Sequence, residues 1–168
     1  MALPELEPVV GRHRDRSDPA AGWGVPAHMS VLYPFVPPAR LEPAVLEAAA
    51  AAVASVPEFD VVFHRCRWFD STVLWVEPEP AEPVAALTAV VTEAFPDHRP
   101  YAGTHDLVIP HVTVGLAEVG GLARLRAVER EVSDLLPVDA RVQAVSLMTG
   151  SPAPATWATV TTFPLAAG

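Results

Sequence analysis

Two short pieces of this chain have the same form, His28-Met29-Ser30-Val31 and His111-Val112-Thr113-Val114. In extended backbone successive side chains alternate faces, so His28 shares a face with Ser30, and His111 with Thr113. Met29, Val31 and Tyr33 in the first piece, and Val112, Val114 and Leu116 in the second, then point to an apolar side. An imidazole carries a proton near neutral pH, and a hydroxyl beside it donates to an oxygen that gains negative charge. Two such pairs facing each other across a cleft are the parts of an acid–base site for phosphoryl transfer without a metal. Each motif is introduced by proline, Pro26-Ala27 in one case and Pro110 in the other, which marks the start of a strand. The other histidines (His13, His64, His98 and His105) have no such setting.

The elements that must position these residues follow from periodicity and breakers. A short strand is expected over residues 6–10. A loop over 11–27 then carries Arg12, His13, Arg14 and Arg16 and ends in Gly22-Trp23-Gly24. The first motif strand, 28–35, is stopped by Pro34, Pro37 and Pro38. Apolar residues at helical spacing predict a helix over 41–56 with Pro43 in its first turn, and a second over 82–95 opening with Pro83. Between them, β-branched and aromatic runs at 59–69 and 72–77 around Asp70-Ser71 predict a hairpin. A polar loop over 97–107 leads to the second motif strand, 108–116. Gly120-Gly121 then introduces a helix carrying Leu122, Leu125, Val132 and Leu136, followed by strands over 138–148 and 156–163. The order motif strand, helix, strand, strand thus occurs twice. Trp75 and Trp157 fall in the last strand of each unit at nearly the same offset from the motif histidine. A duplicated unit of this kind would put both polar faces at the boundary of two lobes.

Bulk properties narrow the ligand. The chain has 168 residues, enough for one well-buried domain or two lobes sharing a core. A formal charge of −9 and a pI near 5.0 argue against an extended grip on nucleic acid, which needs a basic surface. The expected partner is therefore a small nucleotide or the end of an RNA. Cys66 is the single cysteine, which excludes an internal disulfide and fits a reducing, cytoplasmic setting. The N-terminal residues lack the basic and apolar regions of a signal peptide, and the Ala-rich stretch 48–54 is too short to span a bilayer, so no membrane partner is expected. All basic residues are Arg and none is Lys; compositional bias accounts for this as readily as phosphate recognition does.

On its paired motifs the chain resembles the 2H phosphoesterases, in particular the 2′-5′ RNA ligase-like branch. Pro26-Ala-His-Met-Ser-Val-Leu-Tyr-Pro-Phe35 is similar to that branch's first motif, and Pro110-His-Val-Thr-Val114 to its second. Ser30 stands where Thr is commoner, which keeps the hydroxyl and loses a methyl group. The resemblance covers nearly the whole chain. It implies an α+β, bilobal 2H phosphoesterase-like fold: two antiparallel β-sheet lobes with flanking helices, related by a pseudo-two-fold, with the cleft between them. The whole of 1–168 would be one such domain, with motif units over about 28–77 and 108–164. The activity implied is a phosphodiesterase acting on 2′,3′-cyclic phosphates or related nucleotide and RNA-end phosphodiesters. His28 and His111 would serve as general acid and base, Ser30 and Thr113 as donors to the phosphoryl oxygens, and no cofactor or metal would be needed.

Around these four, Arg12, Arg14 and Arg16, Trp23 between its glycines, and Arg99, Tyr101 and His105 in the second loop are candidates to clamp a phosphate or stack on a base. Solvated loop residues are the plainer reading of each. Two alternatives stay open: a nucleotide- or RNA-end-binding module of the same fold without turnover, and 2′-5′ RNA ligase activity. A metal-dependent hydrolase lacks support in the sequence, which has no H-x-H, H-E-x-x-H or Cys pair. A monomer is expected.

Overall fold

The computed structural model describes residues 1–104 and 108–168. His105, one of the candidates above, lies outside the described residues.

Two antiparallel sheets form from six strands. The larger has the order β3-β2-β1-β4, built from β1 (Phe59–Phe69), β2 (Val73–Glu79), β3 (Val112–Leu116) and β4 (Val138–Val142). The smaller pairs β5 (Ala144–Thr149) with β6 (Ala158–Pro164). The larger sheet therefore takes two strands from each half of the chain. The stretch expected as one strand over 138–148 is split at Gln143, its two parts entering different sheets. The expected α+β class and antiparallel sheets are what the chain adopts.

A register irregularity between Phe63 and Arg65 sets which residues of β1 face the core. Before it Val61 and Phe63 are buried; after it Cys66 and Trp68 pack against the core and Arg65 and Arg67 face water. One extra residue in a strand reverses the alternation, so the bulge lets odd and then even positions serve one face. On the water side Arg65 and Arg67 pair with Glu77 and Glu79 of the neighbouring strand.

The largest departure from expectation is at the N-terminal end. Residues 6–10 form no strand and 11–17 form no loop: Leu6 ends a 3-10 turn (Pro4–Leu6) and the rest belong to a helix, α1 (Glu7–Ser17). Leu6, Val9, Val10, His13 and Ser17 are buried and recur at helical spacing, with Pro8 in the first turn. A short second helix, α2 (Pro19–Gly22), is capped by Asp18, whose Oδ1 accepts from the Ala20 N–H at 3.0 Å.

Helix α1 lies on β3 with very little clearance. A methyl group on Gly115 would sit 2.7 Å from Ser17 Cβ and 2.8 Å from Leu125 Cδ2. Leu125 belongs to the last long helix, α6 (Leu122–Ser133), which follows the short α5 (Ala117–Gly120). Beside the other sheet lie α3 (Pro43–Ala54), packed on β6, and α4 (Glu82–Ala94), packed on α3. Both helices were expected, with ends one or two residues longer. None of the helices among the described residues is long and apolar enough to cross a membrane.

Candidate active site

The second motif is built on regular backbone. β3 pairs with β2, and Thr113 stands opposite Trp75. Val112 and Val114 are fully buried on the core side, so His111 and Thr113 share the other face with Trp75. The His111 ring meets Phe69 edge-on at 5.0 Å between centroids and Trp75 at 5.9 Å. Phe69 and Trp75 stack on each other at 4.7 Å. This aromatic wall removes water from one side of the imidazole and lowers its pKa by desolvation.

The first motif is built differently. Residues 28–35 do not form the expected strand; a single antiparallel bridge joins His28 to Ala2, with Leu3 N–H donating to the Ala27 carbonyl at 2.8 Å. Prolines at 34, 37 and 38 deprive the segment of the N–H groups a longer ladder needs. The period-two alternation nevertheless holds where it matters: Met29 and Val31 are buried, and His28 and Ser30 are half-buried. It fails at Tyr33, expected on the core side and in fact 53% exposed. The Tyr33 ring packs against Trp157 at 6.2 Å. Burial pushes the His28 imidazole down to about 4, far enough that it is neutral across the physiological range.

Both histidines are oriented by the same device. His28 Nδ1 lies 2.8 Å from the carbonyl oxygen of Pro26, and His111 Nδ1 lies 2.7 Å from that of Ile109. A carbonyl can only accept, so each Nδ1 carries the hydrogen, and in the neutral ring each Nε2 keeps a free lone pair. The acceptor is in both cases the carbonyl two residues upstream. Two rings held in one tautomer by equivalent bonds are equipped to take or return a proton at Nε2.

The loop before the second motif reaches the first. Tyr101 hydrogen-bonds Ser30 through its side chain, while burial raises its own pKa, and its N–H donates to the Tyr33 carbonyl. Tyr101 and Ala102 occupy the left-handed region, at φ 52° and 54°, strained values for non-glycine residues that point to a tightly determined turn. A cavity of about 460 Å³ opens beside the first motif, where His28, Ser30, Trp23, Tyr33, Met148 and Trp157 contribute to its wall. Trp23 and Trp157 are tied together, the Trp157 N–H donating to the Trp23 carbonyl at 2.9 Å.

The structure thus brings Trp23 and Tyr101 to the first motif. It does not bring Arg12 or Arg14 there. Arg14 is 2% exposed, with Nε and Nη2 donating to Asp18 at 3.1 and 2.9 Å and Nη2 also to the Val25 carbonyl at 3.1 Å. Its fork is spent inside the protein, where it ties α1 to the approach to His28. Arg12 pairs with Glu131 of α6 at 3.1 Å. Arg99 is exposed, and its stem lies against Gly103. Sequence reasoning noticed Trp75 and Trp157 as markers of a repeated unit and missed what they touch: each borders the motif of the other unit. Phe69 was missed altogether. Among the described residues no three His, Cys, Asp or Glu side chains gather into a metal-ligating set.

Curled antiparallel sheets with flanking helices are the layout of the 2H phosphoesterase fold. The crystal structure of E. coli LigT in apo form is similar, with a TM-score of 0.58 at 14% identity over 99% of this chain and 94% of that one. The 2′-5′ RNA ligase superfamily model matches residues 3–152; the chain belongs to that superfamily. No curated protein sequence matches it.

Proposed function

We propose that this protein is a metal-independent phosphodiesterase that opens 2′,3′-cyclic phosphates of small nucleotides or RNA ends, with His28 and His111 as the proton carriers. One observation supports this most: two histidines, each pinned through Nδ1 to the carbonyl two residues upstream, each followed at two residues by a hydroxyl.

In-line displacement at phosphorus needs a base on the entering side and an acid on the leaving side. His28 has the imidazole more strongly pushed toward its neutral form, so it suits the base. Its Nε2 takes a proton from water as the new P–O bond forms. His111, protonated at Nε2, gives its proton to the ribose oxygen as that P–O bond breaks. The product is an open phosphomonoester, and the proton balance is restored by exchange with solvent. Ser30 and Thr113 donate to the non-bridging oxygens as phosphorus becomes five-coordinate. The side-chain hydrogen bond between Tyr101 and Ser30 holds the serine hydroxyl in place beside His28. Attack by a 5′-hydroxyl in place of water uses the same two proton transfers and gives ligation.

Incubation with a nucleoside 2′,3′-cyclic monophosphate in excess chelator, followed by ³¹P NMR, is expected to reveal the ring-opened monoester. No turnover on cyclic phosphates or on RNA bearing such an end would overturn the proposal, and activity abolished by chelator would overturn its metal independence.

A further inference from the structure

A second cavity, of about 260 Å³, lies between α1 and α6 and shares no lining residue with the one beside the first motif. Arg12, His13 and Arg16 line it from α1, and Arg124 and Glu131 from α6. We propose that this cleft binds a small tetrahedral oxyanion of the phosphate class, held by Arg12, Arg16 and Arg124.

Three guanidiniums face one carboxylate here, in a protein whose Asp and Glu number 20 against 11 basic residues. Arg65 and Arg67 pair with Glu77, Arg126 with Glu129, and Arg141 with Glu58 and Asp60, whereas among the described residues the exposed Arg40, Arg99 and Arg130 have no ion pair; what sets the cleft apart is that its arginines line one cavity. In the cleft only Arg12 has such a partner, Glu131. Arg16 and Arg124 have no hydrogen bond or ion pair among the described residues. Arg12 and Arg16 are four apart on one helix, a spacing at which like charges repel. A dianion between the helices would reverse that repulsion, and guanidinium forks match phosphate oxygens in geometry. The local excess of two positive charges equals the charge of a phosphate dianion.

His13 forms the floor. Its ring is 7% exposed, and its Nε2 accepts from Arg12 Nε at 3.1 Å. The ring is therefore neutral, in keeping with a pKa lowered by burial and by Arg12, Arg16 and Arg124, with Glu131 opposing. A neutral, buried imidazole adds no charge of its own and reports on any ion that enters.

The test is titration of the protein with inorganic phosphate at constant ionic strength, balanced with chloride, reading the His13 ring resonances by NMR. A saturable shift is expected, weakened at least tenfold in the double variant Arg16→Gln/Arg124→Gln. Both residues are exposed and unpaired, so the variant keeps its fold, which an unchanged far-UV circular dichroism spectrum and Tm verify. The variant Arg65→Gln/Arg67→Gln, on the sheet, should bind as the parent does. Absence of saturation, an equal response to chloride, or undiminished binding by the cleft variant would overturn the proposal. Competition by adenosine 5′-monophosphate assigns the cleft to terminal phosphomonoesters; phosphate binding without such competition assigns it to the free ion, and either upholds it.

Discussion

The two motifs have the same composition and different foundations. His111 and Thr113 sit at the start of a hydrogen-bonded strand, with a valine core beneath and an aromatic wall beside the imidazole. His28 and Ser30 sit on a segment with a single bridge, held by buried Met29 and Val31, by the Pro26 carbonyl and by Tyr101. Backbone pairing supports one motif, and side-chain burial with scattered hydrogen bonds supports the other. Both histidine rings are held by the same local bond, so under the proposed mechanism ring orientation, and not strand regularity, is the requirement.

The sharpest way to break this parallel is to remove each imidazole in turn. His28→Ala and His111→Ala should each lower kcat by about 10²- to 10⁴-fold while leaving the circular dichroism spectrum unchanged, and a variant with full rate would exclude that histidine from the reaction. Next come the hydroxyls: Ser30→Ala and Thr113→Val are expected to cost about 10²- to 10³-fold in kcat. Tyr101→Phe should lower the rate less, and only through Ser30, so its effect should vanish in a Ser30→Ala background.

Acid stability separates the motifs in a different way. An unfolded histidine titrates near 6.5, whereas folded His28 titrates at about 4, so protons favour the unfolded chain between those values. Stability is then complete above pH 6.5 and falls as pH drops towards 4, by roughly 3 kcal/mol from this group. Urea unfolding at stepped pH should show a shallower fall in His28→Asn, and a slope equal to the parent's would contradict the burial argument. The smallest effect expected concerns the support under the second motif. Gly115→Ala should lose about 1–3 kcal/mol through overpacking against Ser17 and Leu125, measurable as a lower Tm.

Much of this was legible without coordinates. The helices α3, α4 and α6, the β1–β2 hairpin and β3 have long apolar stripes or runs with clear breakers, and tertiary structure had little to override. Helix α1 was hidden because its charged residues interrupt a stripe completed by His13 and Ser17, side chains not read as core. The capping Asp18 followed by Pro19 was a signal available for α2. The split at Gln143 depends on which sheet each half joins, a long-range choice that no local residue announces. At the site, the histidine and hydroxyl pairs were visible as spacing. Their neighbours were not: Trp75 reaches His111 only through the β2–β3 pairing, and Tyr101 reaches Ser30 across the chain.

That β3 pairs with β2 and β4 with β1 has a consequence for any attempt to take the molecule apart. A protease cut just before the second motif would leave one fragment with a hairpin bare along both edges, and another with two strands that are not neighbours. Each piece would lack the hydrogen-bonding partner the other holds. Recovery of the fold would then become a bimolecular, concentration-dependent event, and the chain suits fragment complementation better than dissection into independent halves.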